Sequence, residues 1–354
     1  MRSLSPDRIT TMVQIDSVLI ADEIELQCID VLEAAKIRVV KRAKLSAAEL
    51  IEELKQHDAV IVRSATKITR AVIEGAAGRL KLIGRAGTGV DNIDVKAATE
   101  HGIIVMNTPS GNSRSAAELT SSLILALCRH VPQAAASMKE GRWDRKLFMG
   151  SEANGKTLAI IGLGRIGQIV SQHMRAFGMN IVGYDPMVSA SVCHLNCNVK
   201  KYESAEEFGV RWLPLEEIWP IADFITVHVP LIPQTKNLIG SQTLPLMKRG
   251  VRIINVARGG IIDEDALLEA LKSGQCAGAA VDVFVEEPPS RRDLVNHPSV
   301  IATPHLGAST VEAQERVAVE IAENIVALNR GEGLVGALNA AEVSSVRGKT
   351  EATH

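Results

Sequence analysis

Three kinds of side chain that could take part in hydride chemistry follow predicted strands in the second half of the chain. Arg258 ends the strand pattern of "INVARGG", Glu286 and Glu287 lie in "DVFVEEPP", and His305 lies in "TPHLGAS". In an open α/β sheet, ligands bind beyond the carboxyl ends of the strands, so these groups can converge there. Oxidation of an alcohol requires a base for the hydroxyl proton and a cation near the oxygen. Each residue alone more often has a structural role, but all three together favour a functional site.

A hydride acceptor is indicated by the stretch "AIIGLGRIGQIV", which begins at Ala159. Gly162, Gly164 and Gly167 spell G-x-G-x-x-G between an apolar strand pattern and a helical pattern, as in dinucleotide-binding turns. The next predicted strand, "NIVGYD", ends in Asp185, whose carboxylate can accept both ribose hydroxyls. At about 4 Å this charge would oppose the extra phosphate of NADP by roughly 4 kcal/mol. The sequence therefore predicts NAD.

An anion subsite is predicted in the first half of the chain. "VRSATK" contains Arg63 and Ser64, and "GRAGTGVDN" contains Arg85 and Gly87. Both arginines end predicted strands, beside a loop that has Asn92 where a dinucleotide turn would have its third glycine. Two cations at equivalent strand ends favour a small anionic group.

Two series of alternating strand and helix patterns must position these residues. The first series runs from Val18 to Thr108, and the second begins near "NGKTLAIIG". One long helical pattern, Ser113 to Gly141, lies between them, and a final helix runs from Thr310 to about Asn329. Such alternation predicts parallel sheets covered by helices. Residues 189–204 fit neither the helical nor the strand pattern.

Composition excludes several classes of protein. The 354 residues carry a formal net charge of −2 and only 3% aromatic residues, which gives no reason to expect nucleic acid as a partner. No apolar run approaches the length that spans a bilayer, so no membrane partner is expected. The five cysteines are scattered, which favours a reducing compartment and the cytoplasm. "CHLNC" lacks a second ligand pair, so no metal site is predicted.

Several stretches resemble the D-isomer-specific 2-hydroxyacid dehydrogenases, among them "MNTPSGNSRSAAE", "GKTLAIIGLGRIG", "GVRIINVARGGIIDEDAL", "AAVDVFVEEPP" and "TPHLGAST". The resemblance implies two doubly wound parallel-sheet α/β domains, with a Rossmann-type NAD domain (110–308) inserted into a flavodoxin-like substrate domain (17–109 and 309–334). The expected site lies between the two domains. Residues 1–16 are expected to be a disordered extension, and residues 335–354 a flexible tail without a regulatory domain.

The resemblance also assigns roles to residues. It implies that His305 is the general acid/base, that Glu287 pairs with it, and that Arg258 holds the substrate carboxylate. The implied cofactor contacts, besides Gly162, Gly164, Gly167 and Asp185, are Thr88, Arg165, Ile166, Val229, Val256, Ala257, Arg258, Asp282, His305, Leu306, Gly307 and Ala308. The implied substrate contacts are Arg63, Ser64, Arg85, Gly87, Arg145 and Arg258. Arg145, in "RWDRKLFMG", would reach the substrate of a second subunit, so a homodimer or larger homo-oligomer is expected.

Within the family, the resemblance is to members that oxidise 3-phospho-D-glycerate to 3-phosphohydroxypyruvate with NAD, the first step of L-serine biosynthesis. Two alternatives stay open. A glyoxylate/hydroxypyruvate-type reductase would share the fold and the Arg–Glu–His set. A dehydrogenase-like transcriptional corepressor would keep the NAD pocket but act by binding other proteins.

Overall fold

The computed structural model describes residues 13–76, 78–188 and 209–343. The chain divides into two compact units. Unit 1 consists of Met1–Asn112 and Thr310–His354, and unit 2 of Ser113–Ser309. The stretch 189–204, with "CHLNC", lies outside the described residues, as do residues 1–12 and 344–354.

Unit 1 is built on a five-stranded parallel sheet in the order β2-β1-β3-β4-β5. Its strands are β1 (Ser17–Ile20), β2 (Arg38–Lys41), β3 (Ala59–Val62), β4 (Leu82–Arg85) and β5 (Ile104–Asn107). The intervening helices are α1 (Leu26–Ala34), α2 (Ala47–Leu54), α3 (Arg70–Gly75) and α4 (Val95–Glu100). A capping box begins α2, because the Ser46 side chain accepts from the Glu49 N–H while the Glu49 carboxylate accepts from the Ser46 N–H.

Alternate strand residues of unit 1 pack into separate cores. Val18 and Ile61 belong to the core on one face of the sheet, and Leu19 and Val60 to the core on the other. All four are buried. Because successive strand residues point to opposite faces, a strand that is apolar at every position must be covered on both sides. This pattern confirms the doubly wound architecture.

Unit 2 begins with α5 (Ser113–Arg129) and α6 (Val131–Lys139) and continues with a seven-stranded sheet in the order β12-β11-β10-β9-β6-β7-β8. Its strands are β6 (Thr157–Ile161), β7 (Asn180–Tyr184), β8 (Arg211–Trp212), β9 (Phe224–Val227), β10 (Val251–Asn255), β11 (Cys276–Val281) and β12 (Val300–Ala302). Its other helices are α7 (Arg165–Ala176), α8 (Leu215–Ile218) and α9 (Glu264–Lys272), with a 3-10 turn at Leu244–Leu246. All of its strand pairs are parallel.

The prediction of one helical pattern from Ser113 to Gly141 is wrong in one respect. The helix is interrupted at His130, whose backbone is left-handed with φ 51°. Pro132 explains the restart, since proline has no N–H to donate to a preceding turn and is accommodated in the first turn of a new helix. The apolar period continues across the break, and for that reason periodicity alone did not reveal it.

The final helix, α10 (Val311–Asn329), belongs to unit 1 and not to the unit that precedes it in sequence. Its residue Ile321 lies in the same core as Ile61 of β3. Asn329 accepts from the Ile15 N–H at 2.9 Å and donates to the Ile15 carbonyl at 2.7 Å. The end of the chain thereby closes one face of the sheet that its beginning forms.

Two segments expected to be disordered or flexible are ordered where the structure describes them. Val13 and Ile15, at the end of the expected extension 1–16, are buried in the core of unit 1. In the expected tail 335–354, the Gly336 carbonyl accepts from the Asn107 N–H at 2.9 Å, and the Leu338 N–H donates to the Val105 carbonyl at 2.9 Å. Asn339 is buried and bonds Val105, Thr99 and Ile103. These bonds satisfy the free edge of β5, which a polar composition does not reveal.

Among the described residues, no helix is both long and apolar enough to cross a membrane. Nor does this part of the chain contain a group of three or more His, Cys, Asp or Glu that could hold a metal ion.

Candidate active site

The glycine turn between β6 and α7 has the geometry that a dinucleotide requires. Gly162 has φ 97°, and a Cβ there would lie against the His228 carbonyl. A Cβ on Gly167 would lie against the Gly162 carbonyl, so only glycine lets α7 approach the turn this closely. Above Gly164, by contrast, nothing lies within 4 Å of an added Cβ. The start of α7, at Arg165 and Ile166, is therefore approachable by a pyrophosphate, and the residues fit the group.

Asp185 follows β7 next to this turn. Its Oδ2 accepts from the Leu163 N–H at 2.9 Å, and its Oδ1 accepts from the Met187 N–H at 2.8 Å. The carboxylate thus ties the strand end to the glycine turn. Trp212 also donates to the Asp185 carbonyl, at 3.4 Å. Four lone-pair positions on a carboxylate leave room for ribose hydroxyls besides these two bonds.

Val229 is another predicted cofactor contact. It follows β9, which pairs with β6 on the side opposite to β7. It comes directly after His228, whose N–H donates to the Ile161 carbonyl at 2.7 Å. Burial lowers the pKa of His228 to about 3, so its ring is neutral near physiological pH. The imidazole Nε2 lies 3.2 Å from the Thr226 hydroxyl. A neutral histidine here adds no positive charge beside the predicted pyrophosphate site.

The strand ends that carry Arg258, Glu287 and His305 are neighbours in the sheet. Asn255 of β10 pairs with Val281 of β11, and Val281 pairs with Ala302 of β12. The chain segments that leave these three strands therefore begin side by side at one sheet edge. This register is the physical reason that residues distant in sequence can form one site.

His305 and Glu287 are in direct contact. The His305 Nδ1 lies 2.7 Å from Glu287 Oε2, and the two side chains are 49% and 38% exposed. A carboxylate oxygen can only accept, so Nδ1 carries a proton and Nε2 is left to exchange one with a ligand. The second carboxylate oxygen of Glu287 accepts from the Phe284 N–H at 3.1 Å. Glu286 instead bonds Ser290. The structure thus distinguishes two glutamates that the local sequence did not.

His305 lies on a turn that is held by a buried aspartate. The Asp282 carboxylate accepts from the Thr303 hydroxyl at 2.6 Å, the Leu306 N–H at 2.7 Å and the Gly307 N–H at 2.8 Å. The His305 N–H donates to the Asp282 carbonyl at 2.8 Å. His305 itself has φ 56°, an uncommon conformation for a residue with a side chain. Asp282, predicted as a cofactor contact, thus fixes the turn of the predicted acid/base, from His305 to Ala308.

Arg258 is positioned by Asn255, which sequence reasoning missed. The buried Asn255 side chain donates to the Arg258 carbonyl at 2.8 Å and accepts from the Ala257 N–H at 2.9 Å. This clamp fixes the turn Val256–Arg258 just beyond β10. The Arg258 Nη1 donates to the Ala257 carbonyl at 2.7 Å, and the side chain is half-buried. The sequence signal for Asn255 was available, since an Asn at a strand end often hydrogen-bonds the backbone of the turn that follows.

The predicted anion subsite lies in unit 1. Val62 of β3 pairs with Arg85 of β4, so Arg63 and Arg85 leave adjacent strand ends. Arg63 is held by its backbone, because its N–H donates to Asp22 Oδ2 at 2.6 Å and its carbonyl accepts from Asn92 at 2.7 Å. Its Nη1 lies 3.8 Å from Glu25 Oε1. Ser64, next to it, is exposed.

The remaining predicted contacts divide between the two units. In unit 1, Gly87 is buried, and the exposed Thr88 donates to the Thr108 carbonyl at 3.1 Å and to Asn112 Oδ1 at 2.7 Å. In unit 2, Arg145 is exposed and follows α6. Its neighbours Trp143, Leu147 and Met149 are also exposed, at 73%, 71% and 79%.

Unit 2 is therefore a doubly wound dinucleotide-binding α/β domain with a histidine–carboxylate pair at the edge of its sheet. Comparison with known proteins is consistent with this class. Residues 121–307 match the family model "D-isomer specific 2-hydroxyacid dehydrogenase, NAD binding domain". The chain belongs to the D-isomer specific 2-hydroxyacid dehydrogenases.

Three relatives illustrate the range of similarity. The chain is 55% identical over 328 residues to the D-3-phosphoglycerate dehydrogenase of Rattus norvegicus, covering 93% of this chain and 59% of that protein. The structure superimposes on a glyoxylate reductase from Paecilomyes thermophila with TM-score 0.79 and 30% identity, covering 90% and 97% of the two chains. It also superimposes on D-lactate dehydrogenase from Aquifex aeolicus complexed with NAD and lactic acid, with TM-score 0.74 and 29% identity over 89% and 96%. The chain spans a little over half the length of the curated relatives it matches.

Proposed function

We propose that the protein oxidises 3-phospho-D-glycerate to 3-phosphohydroxypyruvate with NAD, the step that opens L-serine biosynthesis. The observation that carries the proposal is the 2.7 Å contact between His305 and Glu287 at the strand-end edge of a dinucleotide-binding sheet. The substrate is suggested by the relatives named D-3-phosphoglycerate dehydrogenase, at 46–55% identity.

The proposed chemistry assigns one task to each residue. NAD, when bound, supplies the acceptor for the hydride that leaves C2 of the substrate. The unprotonated His305 Nε2 takes the C2 hydroxyl proton, and Glu287 stabilises the cation that forms on the ring. Arg258 neutralises the substrate carboxylate and the charge that develops on the C2 oxygen, for which its planar guanidinium offers two parallel donors. Asp185 and the start of α7 hold the ribose and the pyrophosphate.

We further propose NAD as the cofactor in preference to NADP. Asp185 adds a negative charge at the ribose position, where NADP carries its extra phosphate. Roughly 4 kcal/mol of repulsion at about 4 Å corresponds to a preference of several hundredfold. An Asp185→Ala variant should lose much of this preference, as measured by the ratio of kcat/KM for the two cofactors.

The phosphate of the substrate is proposed to bind Arg63 and Arg85 of unit 1, with Arg145 supplied by a second copy of the chain. A homodimer through the exposed apolar segment around Trp143 is part of the same proposal. Cytoplasmic location also remains a proposal, supported by the buried, unpaired cysteines Cys28, Cys128 and Cys276 in the described part of the chain.

The test is turnover by the purified protein, followed as NADH absorbance, with 3-phosphoglycerate and with unphosphorylated D-glycerate as the matched substrate. We expect turnover of the phosphorylated substrate with NAD, and loss of about 10²–10⁴-fold in kcat for His305→Asn with NAD affinity retained. Arg63→Ala or Arg85→Ala should raise the KM for 3-phosphoglycerate about 10- to 100-fold and leave that for D-glycerate nearly unchanged.

The structural likeness to a glyoxylate reductase favours one second candidate, reduction of an unphosphorylated 2-oxo acid. Faster reduction of glyoxylate or hydroxypyruvate than of 3-phosphohydroxypyruvate would select it and contradict the proposal. NAD binding without turnover of any 2-hydroxy acid would instead favour the corepressor alternative.

A further inference from the structure

The turn that carries Glu287 is anchored by a helix that contributes no residue to the proposed chemistry. Helix α9 begins at Glu264, and Asp263 caps it by accepting from the Ala266 N–H at 3.0 Å. With the cap supplied by Asp263, the Glu264 carboxylate extends away from its own helix. Its Oε1 accepts from the Val285 N–H at 2.7 Å, a contact between residues 21 positions apart.

Val285 directly follows Phe284, which is hydrogen-bonded to the acid/base pair. The Phe284 N–H donates to Glu287 Oε1, and Glu287 Oε2 contacts His305 Nδ1. Two successive amides of the turn, those of Phe284 and Val285, are therefore each fixed by a carboxylate. The carboxylate of Glu287 holds the turn from within, whereas that of Glu264 holds it from a rigid helix.

The Phe284–Val285 peptide lies close to Gly259, where an added Cβ would meet it, and its N–H is held by Glu264. The Val285 side chain does little to hold the turn, because the residue is 69% exposed. A cavity of about 290 Å³ lies beside it, lined among others by Glu264, Val285, Glu286 and Ser290. This space would let the turn shift if the contact were lost. Helix α9, in contrast, is packed into the main core of unit 2 through Leu267, Leu268 and Leu271.

We propose that Glu264 is a positioning residue for the Glu287–His305 pair. Its carboxylate accepts from the Val285 N–H, and it acts by fixing the Phe284–Val285 peptide next to the Phe284 N–H that holds Glu287 Oε1. The expected change in kcat rests on the proposed function. The expected changes in the Val285 amide and the His305 ring do not.

The experiment compares three variants of the full chain. Glu264→Ala removes the acceptor, Glu264→Gln keeps an oxygen acceptor at the same position, and Glu269→Ala is the control. Glu269 lies on the same helix, is 72% exposed and pairs with Lys272. We expect Glu264→Ala to lower kcat about threefold to thirtyfold, since small misplacements of catalytic groups are costly, with little change in the KM for NAD. Glu264→Gln should recover most of the rate, and Glu269→Ala should match wild type.

Two further measurements do not depend on turnover. Amide hydrogen exchange at Val285 should accelerate in Glu264→Ala and be restored in Glu264→Gln. The downfield proton resonance of the His305 Nδ1–H, a signature of its bond to a carboxylate, should shift or broaden only in Glu264→Ala. Unchanged Val285 exchange, an unchanged His305 resonance or equal losses in the Ala and Gln variants would overturn the proposal. If wild type failed to turn over the substrate while both spectroscopic changes occurred, the proposed function would fail and the positioning role would stand.

Discussion

Replacing Asp282 with Asn should destabilise unit 2 more than a single polar substitution usually does. Asp282 is fully buried, and its carboxylate accepts three hydrogen bonds of 2.6–2.8 Å. Oδ1 accepts from the Thr303 hydroxyl and the Leu306 N–H, while Oδ2 accepts from the Gly307 N–H. In Asp282→Asn the Oδ1 position keeps an oxygen acceptor, but the amide NH₂ replaces Oδ2 and faces the Gly307 N–H, which is also a donor. One charge-assisted bond is lost and two become neutral.

The magnitude follows from these three bonds. A hydrogen bond to a charged group contributes about 1.5–3 kcal/mol and a neutral one about 0.5–1.5 kcal/mol. Losing the Gly307 bond and weakening the other two gives an expected loss of about 3–5 kcal/mol. The same change releases the turn at His305, so kcat should fall as well.

The assay exploits the distribution of tryptophan. All three tryptophans of the chain, Trp143, Trp212 and Trp219, belong to unit 2, so their fluorescence during urea denaturation reports that unit alone. Asp293→Asn is the matched control, because Asp293 is 69% exposed and pairs only with Arg291 among the contacts described for it. A loss in Asp282→Asn no larger than in this control would refute the argument that the buried carboxylate holds the turn.

Three other perturbations test separate parts of the molecule. Burial alone would raise the pKa of Asp58, but hydrogen bonds from Ser17, Lys81 and the Asp16 N–H together lower it from 3.8 to about 2. Asp58 should therefore contribute about 2 kcal/mol to the stability of unit 1 above about pH 4, and this contribution should be lost as the pH falls towards 2. In an acid titration followed by circular dichroism, the stability of Asp58→Asn should therefore depend less on pH than that of wild type. Burial lowers the pKa of His228 to about 3. The stabilising contribution of its neutral ring is therefore present above about pH 6.5 and is lost as the pH falls towards 3. Its NMR signals should not titrate between about pH 5 and about pH 8, and a midpoint near 6.5 would contradict its burial. Gly167→Ala, whose Cβ would meet the Gly162 carbonyl, should weaken NAD binding about 10- to 100-fold by calorimetry, whereas an affinity within about twofold of wild type would show that the turn can relax.

Local patterns were sufficient to predict the elements of the fold. The strand predicted to end at Arg85 is confirmed, whereas the strand predicted to end at Arg258 stops three residues earlier, at Asn255. The rule that ligands bind beyond carboxyl strand ends then indicated which residues could share a site. The contact of His305 with Glu287 follows from that rule together with the family resemblance.

Bonds between residues far apart in sequence were not predictable in the same way. Glu264 and Val285 belong to different patterns, and nothing in either pattern indicates that they meet. The same is true of Asn339, which bonds Thr99 across 240 positions. Val13 and Ile15 were not predictable for a different reason: two apolar residues that alternate with polar ones are too short a pattern to indicate a core strand.

The residues proposed for the chemistry and the residues that hold them differ in burial, and the difference has a physical cause. His305 and Glu287 are half-exposed, as groups that must reach a ligand have to be. Exposed side chains cannot be fixed by packing, so the backbone beneath them must be fixed instead. Asn255 and Asp282 do this at the ends of their strands, where the two residues are only 2% and 0% exposed. Because a buried polar group left without its partner is costly, changes to these two anchors should reduce stability and turnover together, whereas changes to His305 should reduce turnover alone.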